Sequence, residues 1–139
     1  QHEYDVRKHE LKRFLEAQNV PYVEDEYDHH EWLSVIKGLE DEPERGSRCS
    51  VCFQFRLSHA AKYAQEHGFH LLTTTLASSR WKNIRQIDTA GHLAVEAYPD
   101  VEWWDMNWRK GGLQNRRGEL LRINEFYNQL YCGCEFSMR

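Results

Sequence analysis

The sequence predicts an α/β fold, Rossmann-like, with a mainly parallel sheet flanked by helices. Apolar residues recur at three- and four-residue intervals in five segments, and short runs rich in β-formers alternate with them. Composition agrees with a packed interior: charged residues make up 29% and mean hydropathy is -0.82, yet 13% of residues are aromatic. A length of 139 residues suits one domain, 1–139, around one core.

Tyr4, Arg7, Leu11, Phe14, Leu15 and Gln18 keep helical spacing, so an amphipathic helix opens the chain and ends before Asn19 and Pro21. Pro21-Tyr22-Val23 with Tyr27 reads as a short strand. Asp28 with Glu31 is a capping-box signature for a helix carrying Trp32, Leu33 and Ile36. Gly38 to Arg48 shows no periodic apolar face and reads as a surface loop. From Cys49 the positions Cys52, Phe53, Leu57, Ala60, Ala61 and Ala64 form one helix face, and Gly68 stands where a C-cap is wanted.

Phe69 to Leu76 then predicts a buried strand, followed by a polar loop from Ala77 to Lys82. Asn83 with Gln86 suits the cap of a helix whose face is Ile84, Ile87, Ala90, Leu93, Ala94 and Ala97. Pro99 and Asp100 end it before another strand, Val101 to Trp104. Beyond Gly111 and Gly112, the spacing of Leu120, Ile123, Tyr127 and Leu130 predicts a last helix that delivers the chain to Tyr131-Cys132-Gly133-Cys134. Parallel sheets bind ligands at the carboxyl ends of their strands, which directs attention to the loops after Leu76 and Trp104.

No stretch approaches the ~18 apolar residues of a membrane span, and Gln1 to Arg13 lacks the apolar core of a secretory signal. The expected compartment is the cytoplasm, with no membrane partner. A net charge of -4 argues against indiscriminate nucleic-acid binding. The acidity is uneven, however: Asp105 to Arg122 carries the basic residues Arg109, Lys110, Arg116, Arg117 and Arg122 against Asp105 and Glu119. Such a run is either a local basic patch or a solvated helix face.

Cys49-Ser50-Val51-Cys52 is a C-x-x-C at a helix start, where the positive end of the helix stabilises thiolates. Cys132-Gly133-Cys134 is a second pair, whose glycine removes a side chain that would hinder both sulfurs from turning to one ion. Two close pairs suggest a shared four-thiolate site. Spacing leaves structural zinc, an iron–sulfur cluster, a redox disulfide and unrelated core cysteines all open. Structural disulfides fit poorly with a cytosolic setting.

The neighbours of the cysteines narrow the choice. The run from Gly38 through Glu42-Pro43-Glu44-Arg45-Gly46-Ser47-Arg48 to Cys49, Cys52 and Phe53, with Arg56-Leu57, resembles the central signature of the epoxyqueuosine reductase QueH family. Gly68-Phe69, Thr73-Thr74-Thr75-Leu76 with Ser79 and Lys82-Asn83, and Tyr131-Cys132-Gly133-Cys134 with Ser137 follow in the family's order. The resemblance implies a cobalamin-independent, tRNA-modifying reductase that removes the epoxide oxygen of epoxyqueuosine at the wobble position, giving queuosine. It also implies a [4Fe–4S] cluster on Cys49, Cys52, Cys132 and Cys134, a further mononuclear iron beside it, and an external electron donor. Family members normally begin with a strand and a loop of adjacent cysteines. Nothing of that kind precedes Gln1, so the resemblance implies a domain incomplete at its N-terminus. Arg80-Trp81 stands where the family usually has proline and an aliphatic residue, and Asn128 where arginine is frequent.

Several residues are candidates for chemistry, each with a plainer alternative. Lys82 and Asn83 suit an anion or the substrate, or else a solvated lysine beside a helix cap. Thr74, Thr75 and Ser79 offer hydroxyls to substrate or simply to neighbouring backbone. Asp105, beyond the second strand, could supply a proton or bind iron, or cap a turn. Trp103, Trp104 and Trp108 alternate with Arg109 and Lys110, a mixture that suits stacking an extruded base, and Trp108 is expected to be the more exposed; the alternative is ordinary core packing. Arg45, Arg48 and Arg56 would favour thiolates or RNA phosphates, or pair with Glu40, Glu42 and Glu44. The competing functions are a zinc-stabilised RNA- or protein-binding module without catalysis, and an inactive fragment.

Overall fold

The computed structural model describes residues 1–138. In chain order the elements are α1 (His2–Ala17), α2 (His29–Val35), α3 (Ser47–Glu66), β1 (Leu71–Leu72), a 3-10 turn (Thr75–Ser78), α4 (Ile84–Val95), β2 (Glu102–Trp103), α5 (Leu113–Ile123) and a second 3-10 turn (Glu135–Ser137). Two compact units result. One is Asp28–Gln114; the other joins Gln1–Tyr27 to Asn115–Arg139.

The unit 28–114 is α/β. β1 and β2 pair in parallel, Leu71 opposite Glu102 and Leu72 opposite Trp103, with α4 as part of the crossover between them. Parallel strands need such a connection. Its core is built by Phe53, Leu57 and Ala61 of α3, Ile87, Ala90 and Ala94 of α4, and Trp103 of β2, with Leu72 and Cys49 packed against it. The small alanines let α3 and α4 approach closely, and Ile36 and Ile87 are fully enclosed. Local chemistry sets the helix starts. Asp28 accepts from the Glu31 N–H at 2.8 Å to begin α2, and Asn83 accepts from the N–H groups of Arg85 and Gln86 to begin α4. Beyond α3 the chain reverses through Gly68 at φ +71.

In the other unit α1 buries no residue fully, and Phe14 meets Phe126 with ring centroids 4.9 Å apart. Three sequence expectations change. Residues 21–27 are not a strand: they find no strand to pair with, and Tyr22 instead donates to Glu16 while Lys12 stands over its ring. The strand expected from Phe69 to Leu76 is confined to Leu71–Leu72, because the Thr74 hydroxyl accepts from the Leu76 N–H and turns the chain into a 3-10 turn. The last helix stops at Ile123. There the Asn124 side chain donates to the Leu120 carbonyl, Glu125 turns left-handed at φ 51, and the Phe126 N–H closes on Leu121. Tyr127 and Leu130 therefore lie beyond the helix.

Candidate functional site

In the unit 28–114, Cys49 and Cys52 stand one turn apart at the start of α3 and are both partly buried. The loop before them is tightly specified. Glu42 accepts from the Ser47 N–H at 3.0 Å, and Gly46 donates to Pro43 at 3.0 Å. A Cβ on Gly46 would meet Glu42 Oε2 at 2.6 Å and the Pro43 carbonyl at 2.9 Å, so only glycine fits. Arg48, 2% exposed, donates through Nη1 to the carbonyls of Glu40 and Glu42, each at 2.6 Å, and to Leu39 at 3.3 Å. A guanidinium inside the loop replaces the water those carbonyls would otherwise need.

Arg45 is left-handed at φ +67. Its N–H points to Cys49 Sγ at 3.3 Å, and its Nε donates to the Trp81 carbonyl at 2.8 Å. Strain at a non-glycine residue persists only where surroundings hold it. Gln86 supplies that hold: its Nε2 lies 3.0 Å from the carbonyls of both Arg45 and Gly46 and 2.6 Å from Ser50 Oγ. One turn of α4 thus braces the loop that presents Cys49.

The loops at the carboxyl ends of the two strands are laced together. Thr73 Oγ1 donates to Trp104, Trp108 Nε1 donates to Thr74 at 3.0 Å, and Arg109 donates to Ala77 at 3.1 Å and Lys82 at 2.9 Å. Lys82 Nζ stands 5.4 Å from the Phe53 ring centroid, on the helix that carries the cysteines. Cys49, Lys82 and Asn83 are therefore linked through Arg45, Trp81 and Arg109. Thr74 Oγ1 and Asn83 Oδ1 accept from backbone N–H groups, and Arg48 Nη1 and Arg109 Nε and Nη2 donate to backbone carbonyls, while Arg48 Nε is buried without a hydrogen bond among the described residues. Ser79 shares the turn preceding Lys82, while Thr75, Asp105 and Lys110 are exposed. The relative exposure of the tryptophans reverses the expectation. Trp104 is 42% exposed and Trp108 only half-buried, with its indole N–H committed; Trp103 is in the core.

Sequence reasoning missed Gln86 as a brace, Trp81 as an exposed ring and Asp88. Burial pushes the Asp88 carboxyl above its ordinary value; the Trp103 indole opposes this and Asp105 adds to it. The sequence signal for Gln86 was its capping position beside Asn83. For Arg45's left-handed turn there was none.

The second cysteine pair lies in the unit that joins 1–27 to 115–139. Arg7 donates from Nη1 to the Cys132 carbonyl at 2.9 Å and from Nη2 to Tyr131 at 2.7 Å, and its Nε is held by Glu3 at 2.7 Å. Glu3 also accepts from the Tyr127 hydroxyl at 3.0 Å. Desolvation is the largest influence on Glu3 and raises its pKa, but these bonds from Arg7 and Tyr127 outweigh it and hold the carboxyl below the usual range. Gly133, at φ +100, lets the turn pass over Arg7, since a Cβ there would lie 2.9 Å from Nη1. Ser137 Oγ donates to the Cys134 carbonyl at 2.7 Å and sits 3.1 Å from Cys132 Sγ. None of the four cysteines is joined in a disulfide. Among the described residues no group of three or more His, Cys, Asp or Glu could hold a metal ion; Cys49 and Cys52 belong to one unit and Cys132 and Cys134 to the other. No helix among the described residues is long and apolar enough to cross a membrane.

A family model described as epoxyqueuosine reductase QueH matches residues 1–139. The epoxyqueuosine reductase QueH of Histophilus somni (strain 129Pt) is 49% identical over 99% of this chain and 56% of its own length. Those of Acinetobacter baylyi and Haemophilus influenzae are each 47% identical over 99% of the chain, covering 63% and 56% of those proteins. The chain thus spans 56% to 63% of the length of these relatives. With its family model matched from end to end, the chain belongs to the epoxyqueuosine reductase QueH family.

Proposed function

We propose that the protein containing this chain reduces epoxyqueuosine to queuosine at the wobble position of tRNA, the last step of queuosine biosynthesis, in the cytoplasm. The observation that carries the reading is the bracing of Cys49 by Arg45 and Gln86 within a family whose curated members are named for this reduction. The reaction is the epoxide plus two electrons and two protons giving the alkene and water. The electrons come from an external donor.

The donor set fits an iron–sulfur group. Four cysteine sulfurs in two sequence pairs are soft donors, and the Arg45 N–H is directed at Cys49 Sγ. Cys49, Cys52, Cys132 and Cys134 would hold a [4Fe–4S] cluster. When bound, such a centre passes electrons singly, and an additional iron with an open position polarises an epoxide oxygen as a Lewis acid. The chain's own residues hold the substrate. Lys82, in a loop whose carbonyls are fixed by Arg45 and Arg109, draws an anionic phosphate or oxygen toward the start of α3. Asp105, exposed beyond β2, carries a proton to the leaving oxygen.

Anaerobic purification of the natural protein tests the reading. We expect a brown protein with broad visible absorption that Cys49→Ser and Cys134→Ser each abolish, and loss of one oxygen mass from epoxyqueuosine in tRNA when a reductant is added. A colourless protein holding stoichiometric zinc would instead identify a zinc-stabilised binding module, and a cluster-loaded protein that leaves the epoxide intact would reject the catalytic reading.

A further inference from the structure

We propose that Trp81 is a stacking platform for a nucleobase of a single-stranded RNA loop, flanked by Arg80 and Lys82 as phosphate contacts; this rests on the tRNA reading above and deepens it. At 70% exposure Trp81 has the most exposed aromatic ring among the described residues. Single exposed apolar residues are ordinary, and exposure alone decides nothing. What sets Trp81 apart is that its backbone is fixed while its ring is exposed. The Trp81 carbonyl accepts from Arg45 Nε at 2.8 Å, the Lys82 carbonyl accepts from Arg109 Nη2 at 2.9 Å, and the Lys82 N–H donates to Ser79 at 3.2 Å. Asn83 then caps α4. The carbonyls face inward to guanidinium groups, so the loop holds the indole out to solvent.

The chemistry around the ring suits RNA. The Arg80 guanidinium carbon lies 5.3 Å from the ring centroid. From Ala77 to Ile87 the segment contains Arg80, Lys82 and Arg85 and no Asp or Glu, in a chain whose net charge is -4. A π-face interleaved with cations takes a base and its neighbouring phosphates, and stacking accepts any base. The platform is also coupled to the cysteines, because Arg45, which pins Trp81, directs its N–H to Cys49 Sγ at 3.3 Å. A base seated on Trp81 would therefore lie on the loop that adjoins this thiol. Of the three rings that sequence favoured, Trp103 is buried, Trp108 is hydrogen-bonded inward, and Trp104 is 42% exposed but packs edge-on against Trp108.

The test uses the natural protein and an anticodon stem-loop RNA carrying unmodified guanosine at the wobble position. Binding is read by anisotropy, with melting temperature and visible absorption as controls. Trp81→Ala is expected to weaken binding about ten- to a hundredfold, while Trp81→Phe stays within about threefold of the parent. Trp81→Leu separates stacking from plain apolar contact and is expected to behave like the alanine variant. Binding by the alanine variant equal to the parent, or by the leucine variant equal to the phenylalanine one, overturns the platform and leaves the tRNA reading standing. Failure of the parent protein to bind the RNA overturns both. If the alanine variant instead loses a protein partner and keeps its RNA, the surface is a protein-docking one and the inference is wrong.

Discussion

Gly91 of α4 lies directly against the indole of Trp103: a Cβ built on Gly91 would stand 2.2 Å from Trp103 Cε2 and 2.3 Å from Cδ2. No side chain fits between them. The contact lets the helix settle on β2, and it holds in place the strand whose carboxyl end leads to Asp105 and Trp108.

Gly91→Ala therefore separates helix propensity from packing. In an open helix the change would stabilise by about 1 kcal/mol. Here the opposing atoms are ring carbons of a residue only 6% exposed, packed among Phe53, Leu57 and Ile87, so the ring has no space to withdraw. Overpacking of this kind costs about 1–3 kcal/mol, and the net effect should be destabilising. Gly118 of α5 is the internal control, because a Cβ there meets nothing within 4 Å. Urea unfolding should show Gly91→Ala destabilised and Gly118→Ala unchanged or stabilised. Equal effects at both sites would remove Trp103 from the explanation.

How much of this was legible depends on whether the deciding interaction is local. The α3 and α4 faces read correctly because Phe53, Leu57, Ala61, Ile87, Ala90 and Ala94 follow helical period, and Asp28 and Asn83 read correctly because a cap bonds its own next turn. Residues 21–27 misled because a strand exists only if another pairs with it, and their β-rich composition says nothing about partners. Leu93 misled too. It keeps the period of α4 yet is 42% exposed, since the face that α3 covers is narrower than the apolar stripe. The early end of α5 was written in Asn124, whose side chain competes for the Leu120 carbonyl, but the apolar spacing through Tyr127 and Leu130 concealed it.

The candidate cysteines could be read from the sequence, and the side chains that brace them could not. Pairs of cysteines announce themselves by spacing. A guanidinium does not announce its partner: Arg48 was expected near substrate or glutamates and instead binds the carbonyls of Leu39, Glu40 and Glu42. Backbone carbonyls look alike in every sequence, so the roles of Arg7, Arg45, Arg48 and Arg109 emerge only once the chain is folded.

Arg7 offers a test of such support. Its two nitrogens clasp the Tyr131 and Cys132 carbonyls, and Glu3 fixes its orientation. Removing an outer partner of a metal ligand typically costs about 10–100-fold in metal affinity. Arg7→Ala should accordingly lose iron to a chelator about 10–100 times faster, with Arg7→Lys intermediate because a lysine cannot span both carbonyls. In the metal-free protein the same variant should alkylate faster at Cys132, read by mass spectrometry. Unchanged iron retention and unchanged alkylation together would reduce Arg7 to a surface contact.

Asp88 gives a prediction whose sign follows from linkage. Burial, the largest influence, raises its pKa above the ordinary aspartate value of 3.8; the nearby Asp105 charge adds to the rise, while the Trp103 indole and His92 oppose it. A raised carboxyl is harder to ionise in the fold than in the unfolded chain. Its cost to stability is absent below pH 3.8 and grows until the pH passes the folded-state value, after which it is fully present at neutral pH. Asp88→Asn keeps an acceptor near the Trp103 indole and removes that charge. Thermal melts should therefore show the asparagine variant more stable than the parent at pH 7, with the difference shrinking as the pH is lowered toward 4. Asp105→Asn should remove part of the same cost through the shared repulsion. An asparagine variant less stable at pH 7 would mean that the Asp88 carboxylate makes a favourable contact worth more than its burial.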